Sequence, residues 1–357
     1  MTALPRKRAR SAAIALLALA ALPLCAPVAL YLHNRAAVAE FRARPDASGR
    51  VLHIQGRAVF VRERGRGEPT VIFEAGYGSS IEWWAVQDRV AEQTHTMTYE
   101  RAGYGWSAPS QGVRDATTVG RERHALLAAL GAQPPFVWVG EAIGALYVQE
   151  ALRRRPADSA GALLVDPITT GHKRFEAELP RAFYQNLINL TPRIQGARAA
   201  AALGVQRALR ALPFDEGEPR LRRTLVDVYA ADETYRAMLA EHAAIRVSSA
   251  QALEAGPPPD VPLIVLHHAP EAFLEELQFF QMSYDEAVSV ERLFRALVDD
   301  TAASSPHGRV VTAAHATRYL HMTEPELIAR LILELVEGAR AKTLAAHADP
   351  RSRAPER

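Results

Sequence analysis

The residues best placed to do chemistry stand in Gly140-Glu141-Ala142-Ile143-Gly144. An apolar run from Pro135 to Val139 precedes them and reads as a buried strand; Ile143 to Arg155 has helical spacing. A strand that turns into a helix between two such glycines bends sharply, and the turn lifts its central side chain above the sheet. A side chain lifted in this way can attack a carbonyl only if it carries a lone pair. Here the central residue is Ala142, whose methyl group has no lone pair, so acyl-enzyme chemistry at this position is excluded. Glu141 is a carboxylate beside it, and a buried Glu is costly unless paired, so an arginine or histidine beneath the turn is expected. Ser79, Ser80 and Ser107 read as turn formers or caps. His267 and His268 are adjacent, but no carboxylate or histidine sits at a recognised ligand spacing around them, so no metal site is read. No phosphate loop or dinucleotide fingerprint occurs, and no cofactor is expected. The single cysteine, Cys25, lies in an apolar N-terminal run, which removes a thiol nucleophile and a disulfide from the rest of the chain.

The elements that must position these groups follow from composition and pattern. The 357 residues carry 42 basic and 40 acidic side chains, a near balance that gives no reason to expect a nucleic-acid partner. The length suits one α/β domain with an N-terminal appendage. Arg6, Lys7, Arg8 and Arg10 precede an uncharged stretch from Ser11 to Asn34. About 20 apolar residues suffice to cross a bilayer core. The sequence therefore predicts an N-terminal segment 1–34 that is a membrane anchor or a signal peptide. The basic flank would stay inside, leaving the domain outside the cytoplasm (periplasmic in a Gram-negative cell), or secreted after cleavage. Residues 35–50 read as a linker and 341–357 as a disordered tail.

Between them, Val51–Ile54 and Ala58–Arg62 alternate as an antiparallel pair. Thr70–Phe73, His95–Tyr99, Pro135–Val139, Gly161–Val165, Pro262–Leu266 and Val310–Ala313 follow as strands. Runs apolar on both faces, separated by helices, predict an α/β fold with a mostly parallel central sheet covered on both sides. The stretch from about 169 to 258 is helical and Ala/Arg/Leu-rich, and is expected to form a lid over the edge of the sheet where such folds bind ligands. Trp83-Trp84 is expected to pack the first helix against the sheet or this lid.

Three stretches, taken in order, resemble the α/β-hydrolase superfamily. Glu74-Ala75-Gly76-Tyr77-Gly78-Ser79-Ser80 lies where the family's oxyanion loop follows its third strand. Tyr99-Glu100-Arg101-Ala102-Gly103-Tyr104-Gly105-Trp106-Ser107 is similar to the family's Asp-Arg-x-Gly-x-Gly-x-Ser segment, with Glu100 in place of Asp. Val137 to Tyr147 matches the strand, elbow and helix that present the nucleophile. The resemblance covers about Val51 to Gly338 and implies an α/β-hydrolase fold over 51–340. It implies a pocket around Gly76, Tyr77, Gly78, Glu141 and Ile143, and a nucleophile at the position of Ala142. It also implies a base seven residues before the proline heading the closing helix. Counting back from Pro325 gives Arg318, which stays protonated and cannot act as a base. His315, three residues away, is the backup base; His321 reads as an ordinary loop or helix-entry histidine. The family's acid follows the strand ending at Leu266, where Glu271 is the nearest carboxylate; Asp166, in Val165-Asp166-Pro167, is the other candidate. Two independent losses from the triad fit a natural pseudoenzyme that binds a small-molecule or lipid-like ligand or a partner. The alternative is an ester or amide hydrolase using His315 with Asp166 or Glu271.

Overall fold

The computed structural model describes residues 26–109, 111–179, 189–257, 259–279, 282–315 and 319–348. Among them, eight strands form one sheet in the order β1-β2-β4-β3-β5-β6-β7-β8. The strands are β1 (Arg50–Ile54), β2 (Arg57–Arg64), β3 (Val71–Glu74), β4 (Thr96–Tyr99), β5 (Phe136–Glu141), β6 (Ser159–Val165), β7 (Leu263–His267) and β8 (Gly308–Thr312). β2 runs antiparallel to β1 and β4, and the strands from β3 to β8 are parallel. The period of two in the strands sorts their side chains into two cores. Phe73, Val139, Leu163, Val165 and Leu266 face one way, against helix α2 (Trp84–Val90) and the closing helix (Pro325–Ala348). Ile72, Trp138, Ala162, Leu164 and Val265 face the other, against α3 (Ala116–Leu130) and α4 (Ile143–Arg154). The α/β-hydrolase architecture expected from the sequence is therefore present, with the elbow between β5 and α4 at the centre of the sheet.

Helix boundaries follow local chemistry. Asp115 caps α3 by accepting from Thr118 N at 2.8 Å, and Gly131 ends it with φ 66°. Between β6 and β7 the chain leaves the sheet and builds a helical insertion: α5 (His172–Glu178), α6 (Thr191–Ala202), α7 (Val205–Leu209), α8 (Arg222–Tyr229), α9 (Asp232–Ala243) and α10 (Ile245–Glu254). Two further helices, α11 (Pro270–Phe279) and α12 (Tyr284–Ala303), separate β7 from β8; the sequence reading left this stretch without elements. The closing helix, read as ending at 340, continues to Ala348, so 341–348 are helical where a disordered tail was expected; 349–357 lie outside the described residues.

The N-terminal expectation is corrected. No helix among the described residues is long and apolar enough to cross a membrane, so a single-pass anchor is not supported. Residues 1–25 lie outside the described set, but 26–43 form a helix, α1, that includes the last part of the apolar stretch. It docks on the insertion instead of standing free. Asn34 is buried, its amide donates to Ala201 O at 2.8 Å and Ala230 O at 3.0 Å, and its oxygen accepts from Arg207 at 2.8 Å. Val28 and Leu32, on the same helix before Asn34, are exposed.

The insertion is tied to the sheet by a buried ion pair. Arg101, after β4, donates from Nε and Nη2 to the two carboxylate oxygens of Glu241 on α9, at 2.8 and 2.9 Å. Its remaining donors reach Ala75 O at 2.6 Å and Gly76 O at 2.7 Å. Removing one partner of such a pair leaves a buried charge without compensation, which costs about 3–5 kcal/mol. Glu241→Ala is therefore expected to lower unfolding stability by about that amount in urea titrations. A loss below about 1 kcal/mol would show that solvent reaches Arg101 and that the pair does not hold the insertion.

Candidate functional site

Ala142 is the N-cap of α4 and has φ 46° and ψ −113°, a strained backbone for a residue with a Cβ. The flanking glycines explain how the turn is held. A Cβ on Gly144 would lie 2.2 Å from Glu74 O, and one on Gly140 2.7 Å from Ala145 Cα. Helix α4 therefore packs directly on the end of β3. The turn is also pinned from below: Ala142 N donates to Val165 O at 3.1 Å and Ile168 N donates to Ala142 O at 3.0 Å. The elbow keeps its geometry, and it carries a methyl group.

Glu141 is engaged. Its carboxylate accepts from the Trp83 indole at 3.2 Å and from Gly76 N at 3.3 Å, and it faces His321 Nδ1 at 3.3 Å. The partner expected beneath the turn is thus His321. That histidine, read as an ordinary loop residue, is fully buried and stacked on Trp83 at 4.7 Å with planes 8° apart. Its Nε2 lies 3.7 Å from Glu82, which in turn accepts from Tyr229 at 2.6 Å. At these distances the contacts of His321 are ion pairs more than aligned hydrogen bonds. Burial alone would lower its pKa, but Glu141 and then Glu82 outweigh burial and raise it to about 9. Glu141 is correspondingly held below the usual carboxylate range. Trp84 turns the other way, into the cluster of Phe60 and Trp106 with Arg62 above its ring.

On the other side of the elbow a second cluster forms. Asp166, directly after β6 and with φ 41°, places Oδ1 2.7 Å from His268 Nδ1. Glu291, on α12, lies 2.9 Å from His268 Nε2 and 3.0 Å from His267 Nε2. Burial lowers the His268 pKa, yet Asp166 and Glu291 on either side raise it to about 9. Burial acts upward on Glu291, and the two histidines pull it down to about 2. Asp166, His267 and His268 can each bring one ligand atom to within 4.8 Å of the others. This grouping is invisible along the chain, because Asp166 and Glu291 are remote in sequence from the histidine pair.

Two adjoining cavities, of about 370 and 300 Å³, lie between the elbow and the insertion, and Tyr77, Ala142, Asp166 and Leu190 wall both. Tyr229, Tyr235, Met238, Ile194 and Arg193 complete the first; His172, His242, His268, Phe273 and Phe294 complete the second. Of the residues singled out from the sequence, Tyr77, Glu141, Ala142 and Asp166 thus meet at one place. Gly76 and Gly78 shape the loop after β3; a Cβ on Gly78 would meet Tyr229 Oη at 2.3 Å. Ile143 is buried in the core behind the elbow. His315 is exposed and Glu271 is exposed at the start of α11, and neither walls either of these two cavities. Arg318 lies outside the described residues. Ser79 and Ser80 donate to Glu100, which burial raises to about 7, and Ser107 accepts from Phe60 N, so all three serve local structure.

A family model described as "Alpha/beta hydrolase family" matches residues 71–331, nearly three quarters of the sequence. The chain belongs to the α/β-hydrolase family. It is similar to YqjL, an uncharacterized protein of Bacillus subtilis, at 34% identity over 116 residues, 32% of this chain and 46% of that protein. The chain spans about half the length of the curated relatives it matches. Among solved structures, a loop variant of haloalkane dehalogenase DbeA from Bradyrhizobium elkanii superposes with TM-score 0.63 at 19% identity, covering 85% of this chain and all of that one. The epoxide hydrolase CorEH superposes with TM-score 0.61 at 14% identity, covering 80% of this chain and 97% of its own. At such identities the likeness shows the fold, and this α/β hydrolase must be judged on its own site.

The His321 cluster gives a pH signature. A free histidine titrates near pH 6.5, so raising His321 to about 9 makes its protonated form the one that folding favours. That stabilisation is complete below about pH 6.5 and is lost as pH rises through about 9. The wild type is expected to lose up to about 3 kcal/mol more than His321→Gln across this window, measured by denaturant titration at each pH. His268 titrates in the same range, so the difference between the two proteins is the informative quantity; equal slopes would refute the pairing.

Proposed function

We propose that this chain is a pseudoenzyme of the α/β-hydrolase family that binds a small apolar or lipid-like molecule and does not hydrolyse it at the elbow. The observation that carries this reading is the methyl side chain of Ala142 at the shared wall of both cavities. A serine, cysteine or carboxylate at that point could form a covalent intermediate, and alanine cannot. The neighbouring carboxylate offers no substitute, because Glu141 is bound up with His321, Trp83 and Gly76.

The cavity itself supports binding. Volumes of 300–1,000 Å³ are typical of small-molecule sites, whose walls are mostly apolar with a few polar groups to orient the ligand. Leu190, Ile194, Met238, Phe273 and the tyrosines provide the apolar wall, while Arg193, Asp166 and His268 set polar groups at its margins. The helical insertion acts as the lid in this reading, held to the sheet through Arg101 and Glu241.

The test is turnover of short-chain 4-nitrophenyl esters by the full chain, set beside Ala142→Ser and the double variant Ala142→Ser, Arg318→His. The wild type is expected to match the uncatalysed rate, and the double variant to gain activity. Medium-chain carboxylates should raise the wild-type melting temperature by several degrees, and Leu190→Trp, which fills the shared wall, should abolish that shift. Wild-type hydrolysis that His315→Ala removes would overturn the reading and show that the chemistry has moved.

A further inference from the structure

We propose that Asp166, His267 and His268 form a site for a divalent cation of the zinc class, with Glu291 orienting both imidazoles from behind. This goes beyond the ligand-binding reading and does not depend on it. The argument begins with Glu291. A carboxylate only accepts hydrogen bonds, so its two oxygens fix a proton on Nε2 of both histidines, at 3.0 and 2.9 Å. That arrangement, in which a ligating histidine gives its other ring N–H to a carboxylate, is the usual support behind metal-bound imidazole.

With both Nε2 atoms used, the Nδ1 atoms are the ones left to ligate a metal, and both turn toward Asp166. His268 Nδ1 lies 2.7 Å and His267 Nδ1 4.0 Å from the same oxygen, Oδ1. His267 is fully buried, and its Nδ1 has no hydrogen-bond partner. A buried lone pair aimed at a carboxylate is unfavourable unless something positive lies between them. Two imidazole nitrogens and one carboxylate oxygen are a donor set that suits zinc and its neighbours, at about 2.0–2.2 Å from the ion. Donors on a tetrahedral ion would then be about 3.3 Å apart, so the 2.7 Å contact would open and the 4.0 Å one close.

Binding would replace the proton shared between His268 Nδ1 and Asp166 Oδ1 with the metal, that proton leaving to solvent. Three protein ligands leave a fourth position open. Asp166 and His268 wall the second cavity beside Ala142, so that position faces the space where a ligand with an oxygen donor would lie.

The experiment is zinc binding by the full chain after chelator dialysis, followed by competition titration, metal analysis and the visible spectrum of the cobalt form. The wild type is expected to bind one equivalent, with a tetrahedral cobalt spectrum. His267→Ala and Asp166→Asn should each weaken binding at least 100-fold, and Glu291→Gln 10–100-fold. Asp166 is partly exposed, so its asparagine variant tests the site even where the buried histidine variant fails to fold. No zinc binding by the wild type at micromolar metal, or unchanged affinity in Asp166→Asn, would overturn the proposal and leave a proton as the bridge. Loss of zinc without loss of the carboxylate-induced thermal shift would uphold the metal site separately from the ligand-binding reading.

Discussion

One guanidinium holds the working parts of this molecule together. Arg101 spends its donors on two carbonyls of the loop after β3 and on both oxygens of Glu241 in the insertion. The loop, the elbow it packs against and the roof of the cavity therefore share one buried charge. Burying Arg101 is possible only because every contact is made at once; without Glu241 it keeps the loop carbonyls and only the longer 3.9 Å contact to Glu74. Nearby, Arg123 joins Glu74 and Glu150 on the same principle, and Tyr99 donates to Glu74. The space beneath the catalytic turn of this fold is filled by a charged lattice, and rigidity at the elbow follows from it.

Within that frame, the methyl group at residue 142 sits in a turn of unchanged type, and what it alters is chemistry. The turn still strains its backbone, the glycines still admit α4 to the end of β3, and the cavity still opens at the same point. A fold of this kind separates scaffold from reagent: nearly all the interactions that shape the site come from residues that never touch a substrate. The shape of the pocket therefore does not depend on the side chain at residue 142, which is what the proposed binding role requires.

What could be read from the sequence divides along the same line. Strands such as Gly161–Val165 declare themselves by continuous apolar runs, and the elbow by Gly140 and Gly144, because these signals are local. The need of Glu141 for a partner was also legible, since a buried carboxylate must be compensated. Its partner was not, because His321 lies beyond an insertion and two further helices, and only packing brings it under Trp83. The grouping of Asp166, His267, His268 and Glu291 was illegible for a similar reason: the relevant spacing is across neighbouring strands, not along the chain. For the N-terminal stretch the signal was hydropathy, which does not say what a helix faces; its last residue, Asn34, is buried against the insertion.

That amide has a mechanical meaning. Asn34 binds α1 to the ends of α6 and α8 and to Arg207 on α7, so three helices of the insertion share one attachment to it. Farther along, α1 brings Phe41 against Trp106, and the Trp106 indole donates to Phe41 O, fastening the helix to the body of the domain. At that same end Arg42 lies 3.7 Å from Glu233 on α9, so α1 clamps roof and frame together at more than one point, and no single side chain carries the attachment.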